Sequence, residues 1–187
     1  VCSSDLFEPA LPDWKRSAIH DLPMGLLAKI ALQYRGSRLG LASDSWLTYK
    51  VAESMPAEAC FFASWPADTN LMVGFVGGAF GFELSRAGPE AAIDFGRGEL
   101  RRIFGSEADR HFERGTFTGW ADDPLTLGAY AAARPGRADA REAIARPVGD
   151  RVFFAGEACA GAYAATCGGA SMSGHDAARQ VAETLSA

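Results

Sequence analysis

The stretch RVFFAGEACAGAYAATCGGASMSG, Arg151 to Gly174, sets a run of β-type apolar residues against a glycine turn, then against a helix start almost without bulky side chains. The space those side chains leave must be filled, either by closely packed protein or by a cofactor. DRVFFAG reads as a short buried strand, and GGASMSGHDAARQVAETL as a helix with Gly174, Ala178, Val181 and Leu185 on one face. Backbone N–H groups at such a helix start lack intrahelical partners, and the helix dipole favours negative charge there. Glycine, alanine and serine let a flat ring or a phosphate come within contact distance. They equally permit close helix-on-strand packing, and the local pattern alone leaves both readings open.

Composition bounds the rest of the chain. At 187 residues, 48% hydrophobic and 22% charged, it has the make-up of a globular protein with one good core or two small ones. A net charge of −5 and the lack of any Lys/Arg run argue against a nucleic-acid or polybasic membrane surface. The longest apolar stretch, LMVGFVGGAFGF from Leu71, is too short to cross a bilayer. Cys2, Cys60, Cys159 and Cys167 form no CxxC and have no paired histidine spacing, so no metal site is expected. Buried free thiols in a reducing, cytoplasmic compartment are the expectation. His20, His111 and His175 have no evident partner and read as surface or structural residues. The opening VCSSDL lacks methionine and reads as a translated cloning adapter, so the natural chain is expected to enter near Phe7 from a longer reading frame.

Along the chain, Pro9 and Pro12 precede a short helical stretch from Asp13 in which Trp14, Ala18 and Leu22 recur every four residues. After Gly25, LLAKIALQYRG alternates, with Leu27, Lys29, Ala31 and Gln33 on one face and Ala28, Ile30, Leu32 and Tyr34 on the other. ACFFASW and NLMVGFVGG are further strands separated by the turn PADTN, which suggests an antiparallel sheet. GPEAAIDFGRGELRRIFG is a helix from Pro89 that stops at Gly105, weakened by Gly96 and Gly98. Residues 112–120 look extended, and ADDPLTLGAYAAARPG looks like a loop.

Taken in order, LPMGLLAKI (M-G-x-x-x-K), WADDPLTLGAY (W-x-x-D-P-x-x-x-G-x-Y), RVFFAGEA and YAATCGGASMSG (Y-x-x-T-x-x-G-A-x-x-S-G) resemble the flavin-containing amine oxidases. That family includes monoamine oxidases, polyamine oxidases and flavin-dependent histone lysine demethylases. The resemblance runs from Phe7 to Leu185 as the C-terminal part of a longer protein. It implies a two-domain α+β flavoprotein in which an antiparallel substrate-domain sheet is joined to the C-terminal strand, turn and helix of a Rossmann-like FAD domain. Residues 21–120 are then the substrate domain, 121–187 the end of the FAD domain, and 1–20 the scar plus the tail of an FAD-domain segment.

The resemblance also assigns roles. Lys29 is the lysine that holds a water against flavin N5; a lysine on an apolar strand must otherwise snorkel to solvent. Trp120 matches the tryptophan beside that lysine. Tyr130 matches one wall of the aromatic slot that steers a neutral amine to the flavin. Thr166 falls where monoamine oxidases carry the second wall, a tyrosine, which moves the reading toward the polyamine oxidase and demethylase branches. Ala129 stands where monoamine oxidases carry the flavin-tethering cysteine, so FAD is expected to bind non-covalently. Gly156 and Glu157 match the turn and glutamate that contact FAD. Thr166, Cys167 and Ala170 match the helix start that approaches the flavin, where the N-terminus would stabilise charge developing on reduction. The implied reaction carries an amine to an imine with hydride transfer to flavin and reoxidation by dioxygen to hydrogen peroxide, the small-molecule amine and dioxygen being the partners. The dinucleotide fingerprint G-x-G-x-x-G is absent, GFVGGAFG having the wrong spacing, so the adenosine diphosphate site is expected upstream. Three alternatives stand beside this reading: a carotenoid-desaturase or protoporphyrinogen-oxidase type of flavoprotein, a serine hydrolase built on GASMSG, and an inactive truncated fragment.

Overall fold

The computed structural model describes residues 7–50 and 58–186, so the expected scar at 1–6 lies outside the described residues. The chain divides into two compact units, Leu26–Ala129 and the discontinuous pair Val1–Gly25 with Tyr130–Ala187. Both helices and antiparallel strands are present, in keeping with the α+β class.

The Leu26–Ala129 unit is built on a sheet of order β3-β4-β5-β2-β6, antiparallel throughout. Its strands are β2 (Leu27–Tyr34), β3 (Ser45–Leu47), β4 (Phe61–Ser64), β5 (Leu71–Gly77) and β6 (Phe112–Phe117). Central β2 alternates as its sequence predicts: Ala28, Ile30, Leu32 and Tyr34 are buried, whereas Leu27, Lys29, Ala31 and Gln33 are half-buried. The buried face is covered by α2 (Gly78–Ala87) and α3 (Pro89–Phe104), with α4 (Glu107–Arg110) following. Gly96 was expected to weaken α3, and its lack of a side chain is what lets the helix sit down: a Cβ there would lie 3.1 Å from Ile30 Cγ2. The propensity cost of about 1 kcal/mol is offset by close packing. Strand β3 and helix α2 were not anticipated; the former is too short to show a period, and the latter begins inside the glycine-rich run that ends β5.

The second unit has α1 (Asp13–Asp21), a two-residue ladder of β1 (Met24–Gly25) with β7 (Tyr130–Ala131), α5 (Ala140–Ala145) and α6 (Cys167–Ser186). Five expectations are corrected here. In α1 the buried residues are Lys15 and Ala18, while Trp14 lies at the surface, because the Lys15 ammonium finds carbonyl partners and the indole does not need them. DRVFFAG is not a buried ladder strand: it makes one bridge, Val148 with Val152, and residues 151–155 are half-buried or exposed. The face of α6 turned inward runs through Gly169 and Ser173, with Ala177 and Val181 half-buried; Ala178 is exposed and Leu185 is 82% exposed. Packing at the helix start sets that phase, since the sparse apolar residues further along are too few to do so. Among the described cysteines only Cys60 is buried; Cys159 is half-buried and Cys167 is exposed, since it opens α6. His20 and His111 also have partners, the Asp21 carboxylate at 3.4 Å and the Arg35 carbonyl at 3.0 Å. Among the described residues no helix is long and apolar enough to cross a membrane.

Candidate functional site

Within the discontinuous unit, one carboxylate gathers three of the motif stretches. Glu157 begins a short 3-10 turn after Gly156, whose φ of +134° suits glycine. One oxygen of Glu157 accepts from the Ala131 amide at 2.6 Å, the other from the Ala165 amide at 2.9 Å. The first bond fixes β7, which carries Tyr130 and pairs Gly25 with it. The second fixes the turn that delivers Thr166 and Cys167 to the start of α6. Thr166 caps that helix: its hydroxyl accepts from the Gly169 amide at 2.9 Å and donates to the Tyr163 carbonyl at 2.7 Å. Behind it, Ser173 Oγ accepts from the Gly156 amide at 2.9 Å and has the Gly156 and Ala170 carbonyls within 2.9 Å as acceptors. That hydroxyl is buried and bound to backbone, which disfavours a nucleophilic serine.

The small residues of this stretch divide into two kinds. A Cβ on Gly169 would lie 2.1 Å from the Tyr163 carbonyl oxygen, so glycine there is demanded by packing. A Cβ on Gly168 would meet nothing within 4 Å, so no protein atom demands glycine at that position. Thr166, Cys167 and Gly168 are exposed at the positive end of a 20-residue helix. These features fit a flat, electron-accepting ring system or another ligand that carries or develops negative charge. Tyr163, 59% exposed one turn before Thr166, is a neighbour of this start that sequence reasoning passed over.

In the Leu26–Ala129 unit, Lys29 lies mid-strand on the half-buried face of β2. Its backbone is clasped by Thr118, whose Oγ1 accepts from the Lys29 amide at 2.9 Å and whose amide donates to the Lys29 carbonyl at 3.0 Å. The ammonium donates to the Leu27 carbonyl at 2.6 Å and stands 5.4 Å from the Phe75 ring centroid. Burial pulls its pKa below the ordinary lysine value. Thr118 and Phe75 became visible only through strand register. Trp120, 48% exposed, follows β6 and accepts at its carbonyl from the Thr126 hydroxyl at 2.8 Å; Ala129 is half-buried at the end of this unit.

Comparison with known proteins bears on these features. The family described as flavin containing amine oxidoreductase matches residues 1–182. Polyamine oxidase 5 of Oryza sativa subsp. japonica is 32% identical over 186 residues, which are 96% of this chain and 36% of that protein. Lysine-specific histone demethylase 1 homolog 2 of the same organism is 32% identical over 176 residues, 91% of this chain and 23% of the relative. Cyclohexylamine oxidase from Brevibacterium oxydans IH-35A shares the fold, with a TM-score of 0.71 at 23% identity over 97% of this chain and 40% of that one. The chain thus spans about a quarter to a third of the length of these two curated relatives.

Proposed function

We propose a function on the premise that the family match provides: this chain belongs to the flavin-containing amine oxidoreductases. In our reading it supplies part of the catalytic apparatus of an FAD-dependent amine oxidase. The observation that carries this is the Glu157 carboxylate, which ties the strand bearing Tyr130 to the turn that opens α6. Such a staple holds an aromatic side chain and an exposed helix start in fixed relation, as orienting an amine against a flat cofactor requires.

When bound, FAD would supply the redox chemistry that takes an amine to an imine at the expense of dioxygen, with hydrogen peroxide as the by-product. The protein supplies the rest. Tyr130 offers an aromatic wall that orients a neutral amine. The first amides of α6, at Cys167 and Gly168, present positive potential to the electron-rich end of the ring. Lys29 holds a water where dioxygen is reduced, its ammonium retained on the strand by the Leu27 carbonyl. Ala129 carries a methyl group and cannot form a thioether, so the flavin is held without a covalent bond. These residues contain no G-x-G-x-x-G, so none of them supplies that fingerprint for the adenosine diphosphate moiety.

Three measurements on the natural protein that carries these residues test the proposal. Acid precipitation should release all flavin as FAD, and amines should drive peroxide formation. Maleimide should label the exposed Cys167 rapidly in the flavin-free protein and at least about tenfold more slowly when flavin is bound. Equal labelling in both states, or no peroxide from a broad amine panel, would overturn the reading.

Lys29→Met should lower kcat with dioxygen by about tenfold to hundredfold, the range expected for one preorganised electrostatic group. It also has a signature in stability. With its folded-state pKa depressed, Lys29 releases its proton from the folded chain at lower pH than from the unfolded one. Between those two pKa values the unfolded chain holds more protons, so wild-type stability rises relative to Lys29→Met as pH approaches the ordinary lysine range. Urea unfolding of both proteins from pH 7 to 10.5 checks this; a flat difference would mean the ammonium is fully solvated.

A further inference from the structure

Strand β7 is held along both of its edges. On one edge it pairs with β1: Gly25 lies opposite Tyr130, Met24 lies opposite Ala131, and the Ala132 amide donates to the Pro23 carbonyl at 2.9 Å. A strand residue turns its N–H and C=O to the same edge, and its neighbours turn theirs to the other. Ala131 therefore presents both backbone groups away from β1, where a further strand would pair with them. Two side chains of opposite charge take that strand's place. Glu157 accepts from the Ala131 amide at 2.6 Å, and Arg141 Nη2 donates to the Ala131 carbonyl at 3.0 Å.

Tyr130 depends on that grip. In an antiparallel pair the residue directly opposite shares the same face and braces its neighbour's side chain. Opposite Tyr130 stands Gly25, which has no side chain, and the backbones are close: a Cβ on Gly25 would lie 3.0 Å from Ala132 Cβ. The direction of the Tyr130 ring then rests on the backbone of β7, a strand of only two residues.

Stability alone does not explain Arg141. It stands half-buried on the second residue of α5, and its Nη1 is shut off from solvent with no hydrogen-bond partner among the described residues. A guanidinium nitrogen in that position keeps its desolvation cost, which an apolar side chain of similar size would avoid. The hydrogen bond that the group does make goes to Ala131.

We infer that Arg141 is a positioning residue for amine oxidation: with Glu157 it completes the open edge of β7 and so fixes the direction in which Tyr130 meets the substrate. The inference rests on the proposed role of Tyr130 as an aromatic wall. It gives Arg141 no contact with the amine and no part in the reaction with dioxygen.

The test uses the natural flavin-loaded protein, and its probe is the amine, from a broad panel that includes benzylamine and spermidine, that reduces the wild-type flavin fastest without oxygen. Arg141→Ala should slow that reduction about tenfold to hundredfold at saturating amine, as a misplaced orienting group does. The kcat/KM for dioxygen should change less than about threefold, and flavin content should stay the same. Millimolar guanidinium chloride should restore most of the lost rate by returning the missing donor, whereas sodium chloride of equal strength should not. Hydrogen exchange of the Ala131 amide, read without turnover, should quicken about tenfold or more. Arg141→Leu, which fills the space without a donor, should reduce as slowly and show no rescue. Reduction at the wild-type rate in both variants would overturn the inference, and so would an Ala131 amide whose exchange does not change. Loss of flavin, or equal loss of both half-reactions, in both variants would overturn it too, by assigning Arg141 to the fold alone. A wild-type flavin that no amine reduces would instead take down the amine-oxidase reading and this one with it.

Discussion

Gly169→Ala will destabilise the discontinuous unit by about 3–5 kcal/mol, although alanine is the better helix former by about 1 kcal/mol. The added methyl would sit 2.1 Å from the Tyr163 carbonyl oxygen and 2.8 Å from Ala160 Cβ. The first obstacle is backbone, which cannot rotate aside, so α6 has to withdraw by about 1 Å before contact becomes ordinary. Withdrawal strains the bonds between Gly156 and Ser173 and between Thr166 and the Gly169 amide. Overpacking of about 1–3 kcal/mol and buried hydrogen bonds worth about 1 kcal/mol each account for the total. Urea unfolding measures it, with hydrogen exchange at the amides of residues 169–173 reporting where the loss falls. A loss under about 1 kcal/mol would show that packing does not require glycine there. Gly168→Ala is the contrast: with open space around its Cβ, it should leave stability unchanged or raise it by under about 1 kcal/mol while weakening flavin retention. The glycine pair in the stretch from Arg151 to Gly174 thus answers for both readings of its small residues, one for packing and the other for a ligand.

What the sequence shows and what it hides follow the same physical line. Alternation in β2 was legible because one face packs on α3 and the other does not, so burial acts on every second residue. The sheet partners β4 and β5 and helix α3 were legible for similar reasons. The ladder of β1 with β7 was not, since two residues have no period, and its partners lie over a hundred positions apart. The site residues came from motif resemblance, but their organisation did not: nothing in AGEA indicates that both Glu157 oxygens hold backbone amides. The aromatic face beside Lys29 was hidden because Trp46, Phe61 and Phe75 converge only through strand register. Their positions in the sequence, on three strands, carry no shared spacing.

The buried lysine was the most deceptive residue, and its replacement is the second large effect: Lys15→Met should cost the discontinuous unit about 3 kcal/mol or more. Helical spacing in DWKRSAIHD places Trp14 inward, yet Lys15 is the fully buried side chain. Its ammonium donates to the carbonyls of Ala143 at 3.1 Å, Ile144 at 2.8 Å and Arg146 at 2.5 Å. Those carbonyls lie at the end of α5, where the dipole end is negative; the Ala143 carbonyl also accepts from the Arg146 amide at 3.3 Å and the Ile144 carbonyl from the Cys159 thiol at 3.8 Å. The same ammonium lies 3.8 Å from the Phe154 ring centroid and 4.9 Å from that of Trp14, so desolvation is compensated on every side described. Methionine matches the chain length and removes the desolvation cost, yet it supplies no donor. A hydrogen bond to a charged donor is worth about 1.5–3 kcal/mol, and losing three of them outweighs the relief. The readout is urea unfolding at pH 7 with hydrogen exchange at residues 143–146. Preserved stability and protection would mean that α5 ends satisfactorily without the lysine. Loss of both, with α6 protection reduced as well, would mean that Lys15 holds α5 beneath the turn that carries Glu157, since α5 packs directly on that turn.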